Sequence, residues 1–288
     1  MFFFRNKKDW TLFLIVFLLV GTIFFIFRLG ENNDLPADLP VTELSGLKKT
    51  VAVSNPSLFG LVQDMISPNI NLVRIKEGNP LPNLGFRPVF LAMDGKESAW
   101  MKKLADQQES ELIDIEKNIL DNIPSDYFWI YPQNLEKIIG LIVRLLGQTD
   151  PINKEFYINQ AYERMVEVRE ITDWASDNLP ATRRFNIIVD ERWRRFVGDF
   201  EIEIDDSFKK GDSASEKELF ELLADKIESK RNPVILVDRD FPLDNFFIFA
   251  EGRGIKTEWA VLDAFGEKEN SLQEILRKNL SQLTLVFQ

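Results

Sequence analysis

The 288-residue chain carries 35 Lys and Arg against 46 Asp and Glu, a formal net charge of −11, and it contains neither His nor Cys. The absence of Cys excludes disulfides, thiolate zinc sites and a lipid-modified Cys, and the absence of His excludes imidazole bases and His-ligated metals. The acidic balance argues against nucleic-acid binding, which normally uses a basic stripe. No nucleophile–base pair is visible, so the sequence does not predict an enzyme.

The N-terminus predicts a membrane anchor. Three basic residues within residues 1–9 precede an uncharged apolar run of 18 residues, Trp10–Phe27, which spans roughly 27 Å and so matches a bilayer core. The positive flank predicts a cytoplasmic N-terminus, a transmembrane helix over residues 10–29 and an extracytoplasmic remainder at the plasma membrane. A cleaved signal peptide is the alternative, although residues 28–31 offer no small-x-small cleavage site.

After a polar tether over residues 30–47, strand and helix patterns alternate. This alternation predicts parallel sheets covered by helices on both faces. We predict an N-terminal α/β lobe over residues 48–150, an interlobe helix within 151–180 and a C-terminal α/β lobe over 181–288. Strands are predicted near residues 50–54, 71–76, 88–93, 112–115, 185–189, 234–237 and 259–263.

One long helix is predicted over residues 153–177. Its stripe has spacings of 3, 4, 3, 4 and 3, through Ile158, Ala161, Met165, Val168, Thr172 and Ala175. A helix of this length reaches about 37 Å, enough to cross from one lobe to the other.

Four segments resemble motifs of a known family in the correct order. They are Lys49–Leu58 (KTVAVSNPSL), Ser125–Asn134 (SDYFWIYPQN), Asp150–Asn159 (DPINKEFYIN) and Val261–Gly266 (VLDAFG). In this order they resemble the zinc- and manganese-binding, TroA-like solute-binding proteins of ABC transporters, over nearly the whole chain from Lys48. The resemblance implies two α/β lobes with parallel sheets flanked by helices, joined by a long interlobe helix.

The same resemblance implies a metal between the lobes, held by three His and one carboxylate. The His positions would fall within Pro80–Asn83, on Tyr127 and on Val189, and the carboxylate on Asp263. Val has no donor atom, and a Tyr hydroxyl stays protonated up to a pKa of about 10. One carboxylate does not make a transition-metal site. Zinc or manganese is thus implied by resemblance only, and the residues predict an altered or vacant cleft.

Four acidic residues are expected to approach this cleft: Asp126, Asp190, Glu191 and Asp263. They could bind a cation or the amine of a small solute. The alternative is structural, with Asp126 in a turn and Asp263 capping the following loop or helix.

Three further patterns have a functional and a structural interpretation. The basic cluster Glu191–Arg195 fits an anionic ligand or a solvated helix face. The alternating stretch Glu201–Asp206 reads as a charged edge strand, with a calcium site as a weaker alternative because no D-x-D-x-D-G loop is present. Packing in the core or between lobes is expected for Trp100, Trp129, Trp174 and Trp259.

These observations predict a single-pass, membrane-tethered extracytoplasmic solute-binding protein. It would capture a ligand between its lobes and deliver it to an ABC permease and its ATPase. The alternative is a non-transporting interaction or scaffold module that kept the fold and lost metal binding.

Overall fold

The computed structural model describes residues 48–119, 126–179, 185–266 and 271–288, which belong to one compact unit, Leu47–Gln288. The predicted transmembrane helix and tether lie outside the described residues. Among the helices that are described, none is both long enough and apolar enough to cross a bilayer.

Two four-stranded parallel sheets form the framework. The strands are β1 (Lys49–Val53), β2 (Ile70–Arg74), β3 (Val89–Ala92), β4 (Glu111–Asp114), β5 (Asn186–Asp190), β6 (Asp206–Phe208), β7 (Pro233–Asp238) and β8 (Glu258–Leu262). The first sheet has the order β2-β1-β3-β4 and the second β6-β5-β7-β8. In each sheet, the first strand in the sequence has the second on one side and the third on the other. Such a reversal of strand order opens a crevice at the carboxyl ends of the strands.

Helices cover and connect the sheets. They are α1 (Pro56–Gln63), α2 (Gly95–Gln107), α3 (Ile115–Ile119), α4 (Pro132–Thr149), α5 (Lys154–Asn178), α6 (Arg194–Gly198), α7 (Glu216–Glu228), α8 (Leu243–Arg253) and α9 (Leu272–Val286). Helix α5 is the long helix that the sequence predicts between the two sheets, and its 25 residues reach about 37 Å.

The buried face of α5 differs from the predicted stripe. Tyr157, Ala161, Val168, Ile171 and Ala175 are buried, whereas the predicted stripe residue Ile158 is 48% exposed. Ala161, Val168 and Ala175 are thus buried as predicted, whereas Tyr157 and Ile171 are buried in place of their neighbours Ile158 and Thr172. Trp174, expected to pack, lies on the exposed side of the helix.

The largest apolar core joins both lobes. It contains residues from the first sheet, such as Val51, and from the second, such as Ile187, packed with α4, α5 and α9. Each sheet also has one smaller core beneath its outer helices, around Phe90 for the first sheet and around Phe246 for the second. Because each fully buried large apolar side chain contributes about 1.5–3 kcal/mol, the shared core ties the two lobes into one unit.

The predicted edge strand over Glu201–Asp206 is wrong in its limits. The edge strand β6 begins only at Asp206, and Glu201 adopts a left-handed backbone with φ of 57°, which is not the conformation of a strand residue. The side chain of Asp205 instead accepts from the backbone N–H of Ile187 at 2.8 Å.

Local hydrogen bonds and backbone conformation define three helix ends. Ser215 accepts from the backbone N–H of Glu218 at 3.2 Å and begins α7. Gly254 ends α8 with φ of 70°, a conformation that favours glycine. Ser271 and Glu274 form a reciprocal capping box at the start of α9.

Candidate functional site

A cleft of about 1080 Å³ lies where strands from both sheets end. Its lining residues follow the carboxyl ends of β3, β5, β7 and β8 or precede α4, and they are Lys96, Asp126, Tyr127, Arg192, Asp238, Arg239, Asp240, Asp263, Phe265 and Gly266. Ligands of open α/β sheets bind at this edge. The cleft is therefore the candidate binding site.

Aromatic rings form one wall of the cleft. The ring of Tyr127 lies 5.8 Å from Trp129, 5.1 Å from Trp193 and 5.7 Å from Phe265, centroid to centroid. Edge-to-face and tilted contacts of this kind contribute about 0.5–1.5 kcal/mol each beyond area burial. The wall therefore holds Tyr127 in a fixed orientation toward the charged side of the cleft.

Arg192 is the centre of the charged side. Its Nη2 donates to Asp190 Oδ2 at 2.7 Å and to Asp240 Oδ1 at 2.8 Å, and its Nε donates to Asp190 Oδ1 at 3.0 Å. Its Nη1 donates to the hydroxyl of Tyr127 at 2.8 Å and lies 3.8 Å from Asp238 Oδ1. One guanidinium thus faces three carboxylates and a phenol, and the planar fork suits this bidentate geometry.

Local structure positions this arginine. Asp190 is the last residue of β5, and its Oδ1 accepts from the backbone N–H of Arg192 at 3.1 Å. That bond caps the 3-10 turn Glu191–Trp193, and the turn keeps Arg192 beside the carboxyl end of β5. Trp193 donates from Nε1 to Asp238 Oδ2 at 2.9 Å, which ties the turn to the end of β7.

The pKa values of two carboxylates near Arg192 are shifted in opposite directions. Hydrogen bonds from Arg192 lower the pKa of Asp240 below 3.8. Burial raises the pKa of Asp238 above 3.8, and the hydrogen bonds that it accepts, including one from Tyr127, offset only part of this. Burial also raises the pKa of Tyr127 above 10. Tyr127 is therefore a neutral phenol at neutral pH, which is a poor metal ligand.

Asp263 has both carboxylate oxygens in use. Its Oδ1 accepts from the backbone N–H groups of Phe265 and Gly266 at 2.9 and 3.0 Å, and its Oδ2 accepts from Arg239 Nη1 at 2.7 Å. Its main chain exchanges two 2.9 Å hydrogen bonds with the buried side chain of Asn279 on α9. Asp263 is thus both a cleft residue and the cap of its own loop.

Two hydrogen bonds fasten the walls of the cleft to each other. Trp129 Nε1 donates to the carbonyl of Ala264 at 2.8 Å, and Ser57 Oγ donates to the carbonyl of Phe265 at 2.9 Å. Ser57 lies on α1 beside the first sheet, whereas Ala264 and Phe265 follow β8 of the second. The base of the cleft is therefore closed by contacts between the lobes.

The structure brings most of the predicted cleft residues together. Asp126, Tyr127 and Asp263 line the cleft directly. Asp190 reaches it through Arg192, whereas Glu191 points to the flank and lies 3.6 Å from Arg194 Nη1. Val189 is the exception, because its side chain is fully buried in the apolar core. Side chains alternate along a strand, and the next residue, Asp190, contacts the cleft residue Arg192.

The segment Pro80–Asn83, where the resemblance places the first His, does not line the cleft. Pro80–Pro82 instead borders a separate surface cavity of about 200 Å³ together with Arg74 and Asn79. This segment therefore gives the cleft no ligand.

The residues at the implied metal-ligand positions lie in the core or already have hydrogen-bond partners. At the implied ligand positions, Val189 is buried, Tyr127 stays protonated and Asp263 is bonded through both oxygens. Within the described ranges, no group of three or more Asp or Glu has a geometry that could hold a metal ion, and this includes the stretch Glu201–Asp206 considered for calcium.

Several cleft residues escaped the sequence analysis: Lys96, Asp238, Arg239, Asp240 and Phe265. One signal was available, because Asp238 directly follows the apolar run Val234–Val237 of a predicted buried strand. An acidic residue at the carboxyl end of a buried parallel strand is a candidate ligand residue in this fold class. Arg192 was noted in the basic cluster, but its role depends on tertiary contacts.

This architecture is the TroA-like solute-binding fold, and the predicted resemblance is confirmed at the level of the fold. A crystal structure of ZnuA aligns with a TM-score of 0.64 at 17% identity, covering 84% of this chain and 100% of that one. The Zn(II)-bound ZnuA-like domain of Streptococcus pneumoniae AdcA aligns with a TM-score of 0.64 at 14% identity, covering 84% and 99%.

A mutant structure of the laminin-binding adhesin Lmb from Streptococcus agalactiae also shares the fold, with a TM-score of 0.63 at 14% identity, covering 83% of this chain and 100% of that one. No protein-family model and no curated protein matches the sequence. The likeness therefore rests on structure.

Proposed function

We propose that this protein is an extracytoplasmic solute-binding protein, tethered to the plasma membrane by its predicted N-terminal helix, that presents a small polar solute to an ABC permease and its ATPase. The observation that carries the proposal is the charged and aromatic cleft of about 1080 Å³ at the strand ends. The fold shared with ZnuA and the AdcA domain supports it. No catalytic step is proposed.

The chemistry of the cleft favours an organic solute over a transition metal. The accessible charges are of both signs, since the side chains of Arg239 and Asp240 are 52% and 51% exposed. Phe265 offers an apolar surface beside them. A zwitterion with a short apolar body would complement all three groups, because pockets fix a ligand with a few placed polar groups on an apolar lining.

Closure around such a solute would be small. The long helix α5, the shared apolar core and the bonds from Trp129 and Ser57 join the lobes at the base of the cleft. A hinge needs a few residues that can absorb large backbone changes. Here the movement would be confined to the loops at the mouth.

Ligand screening tests the proposal. Metal-free protein is heated with a panel of zwitterionic, anionic and cationic solutes, and the melting temperature is recorded for the wild type, Arg239→Gln and the surface control Arg194→Ala. We expect a stabilising solute whose effect is lost in Arg239→Gln and kept in Arg194→Ala. Co-purification of a permease and an ATPase from membranes is the second arm, and failure of both arms would contradict transport.

The predicted tether has its own test. Mass spectrometry of the membrane-extracted protein is expected to show a chain that retains residues 10–29. A mature N-terminus beyond Gly30 would contradict the anchor and favour a cleaved signal peptide.

A non-transporting interaction module is the second candidate. The observation that favours it is that the cleft carboxylates Asp190, Asp240 and Asp263 already pair with arginines of the same chain. The fold also occurs in the laminin-binding adhesin Lmb. Absence of any stabilising solute, together with capture of a protein partner that Arg239→Gln leaves intact, would favour this candidate.

A further inference from the structure

A second cavity, of about 200 Å³, lies outside the cleft at the carboxyl end of the edge strand β2. It is lined by Arg74–Lys76 and by Asn79–Pro82, and none of these residues lines the cleft. Its volume is below the roughly 300–1,000 Å³ of pockets for drug-sized ligands. The cavity therefore suits a small ion or a single chemical group.

The charge of this cavity is opposite to that of the chain as a whole. The chain has a net charge of −11, yet the charged residues lining the cavity are the cations Arg74 and Lys76, and no described Asp or Glu lines it. Glu77, the next residue along the chain, is exposed and lies outside the lining. Within the described ranges, neither cation forms a side-chain hydrogen bond or an ion pair. In this they differ from Arg192 of the cleft, which is paired with acids.

Arg74 also carries a buried donor. Its Nε is shielded from solvent and has no hydrogen-bond acceptor among the described residues, whereas the residue as a whole is partly exposed. Burying a donor of a charged group without an acceptor is unfavourable. An acceptor that enters from solvent would satisfy this donor, and a negative charge would also offset that of the guanidinium.

The loop that walls the cavity is held by local structure. The backbone N–H of Asn79 donates to the carbonyl of Lys76 at 3.3 Å. Gly78 lies inside that turn with φ of 76°, a conformation that the third position of a type II turn requires. Pro80 and Pro82 each have φ fixed by their rings. A lining that is ordered beforehand loses less conformational entropy when a ligand binds.

We propose that this cavity binds a tetrahedral oxyanion, either free phosphate or sulfate or the phosphate group of an organic molecule. Arg74 would donate through its planar fork, which matches two oxygens of such an anion. Lys76 would add a second positive charge, and the side-chain amide of Asn79 a neutral donor. The inference is independent of the proposed transport, because the cavity and the cleft share no lining residue.

Isothermal titration of the purified full-length protein with sodium phosphate tests the proposal. Sodium chloride keeps the ionic strength constant, so that general screening does not change during the titration. We expect saturable binding at one site, and the same for sulfate. Arg74→Gln should weaken binding by about tenfold or more, because a charge-assisted pair of hydrogen bonds is lost. Lys76→Gln should weaken it by about three- to tenfold.

Arg144→Gln is the matched control. It removes the same charge at an exposed position of α4, outside both cavities, and should bind phosphate as the wild type does. Circular dichroism verifies the fold of each variant. If Arg74→Gln does not fold, the exposed Lys76 supplies the deciding substitution.

A phosphate monoester distinguishes the two sources of the oxyanion. Binding of glycerol 2-phosphate as tight as that of phosphate, or tighter, would assign the cavity to the phosphate group of an organic molecule. Weaker binding would assign it to the free ion, and both results support oxyanion recognition. Absence of saturable binding for all three anions would overturn the proposal. So would an equal loss in Arg144→Gln, or a loss in the cleft variant Arg239→Gln that Arg74→Gln does not share.

Discussion

Trp129 and Ala264 lie 135 residues apart in the chain, yet the indole Nε1 of Trp129 donates to the carbonyl oxygen of Ala264 at 2.8 Å. The bond is buried and crosses from the segment before α4 to the loop after β8. It closes the base of the cleft beneath Tyr127 and Phe265. The two lobes are thus joined by a specific polar contact as well as by apolar packing.

Replacing Trp129 with Phe should therefore lower the free energy of unfolding by about 2–4 kcal/mol, because the donor is lost and a cavity is left. Trp174→Phe is the matched control, since Trp174 is 43% exposed, and it should change stability by less than about 0.5 kcal/mol. Urea unfolding followed by circular dichroism measures both. Equal effects of the two substitutions would contradict the role given to the interlobe bond.

Two substitutions of Asp263 distinguish its hydrogen bonds to the loop backbone from its ion pair with Arg239. Asp263→Ala should lower the free energy of unfolding by about 2–4 kcal/mol, because the backbone N–H groups of Phe265 and Gly266 lose their acceptor. Asp263→Asn keeps a carbonyl oxygen for those groups and loses only the pair with the half-exposed Arg239. Its cost should be below about 1 kcal/mol. Chemical denaturation of the two variants checks the difference, and a reversed order would show that the Arg239 pair dominates.

Asp150 predicts an acid-sensitive contribution to stability. Burial raises the pKa of Asp150, but hydrogen bonds from Asn153, Tyr157 and Ser67 outweigh burial and leave the pKa below 3.8. Because the folded-state pKa is depressed, this contribution is complete well above about pH 4 and is lost as the pH falls through the folded-state value.

Asp150→Asn should therefore cost about 1–3 kcal/mol at pH 7, and the difference from wild type should shrink below about pH 4. Unfolding curves across pH 2.5–7 measure this difference. Asp177→Asn, on the exposed face of α5, is the control and should track the wild type. A difference that stays constant down to the lowest pH would argue against an ionised Asp150 in the network.

The end of α8 offers a matched glycine pair. Gly254 has φ of 70°, whereas Gly252 lies within the helix, and no atom lies within 4 Å of a Cβ placed at either position. Gly254→Ala should cost about 1 kcal/mol because the left-handed cap disfavours a side chain. Gly252→Ala should instead stabilise by roughly 0.5–1 kcal/mol. Thermal unfolding of the two variants tests this sign difference.

The order of helices and strands could be predicted from the sequence because local residue patterns indicate it. The apolar run Val234–Val237 marks a strand, and the helical spacing over residues 153–177 marks the long helix α5. The predicted limits were wrong where backbone conformation decided them, as at Glu201, whose left-handed φ excludes it from the strand that was predicted to begin there.

Only part of the candidate site could be predicted from the sequence. Tyr127 and Asp263 were placed in the cleft by the order of family-like motifs, whereas Val189 lies in the core and its neighbour Asp190 holds the cleft residue Arg192. The spacing of the motifs does not distinguish two neighbouring residues of a strand, although their side chains point to opposite sides. The link between Arg192 and Asp240 spans 48 residues, and no local pattern predicts it.

The central claim is that arginines of this chain already satisfy the cleft carboxylates, so that the cleft does not take a transition metal. Isothermal titration of the purified, metal-free wild-type protein with zinc, and separately with manganese, tests it most directly. The account predicts no saturable binding of either ion at micromolar concentrations. Sub-micromolar binding of either ion with one-to-one stoichiometry would contradict it.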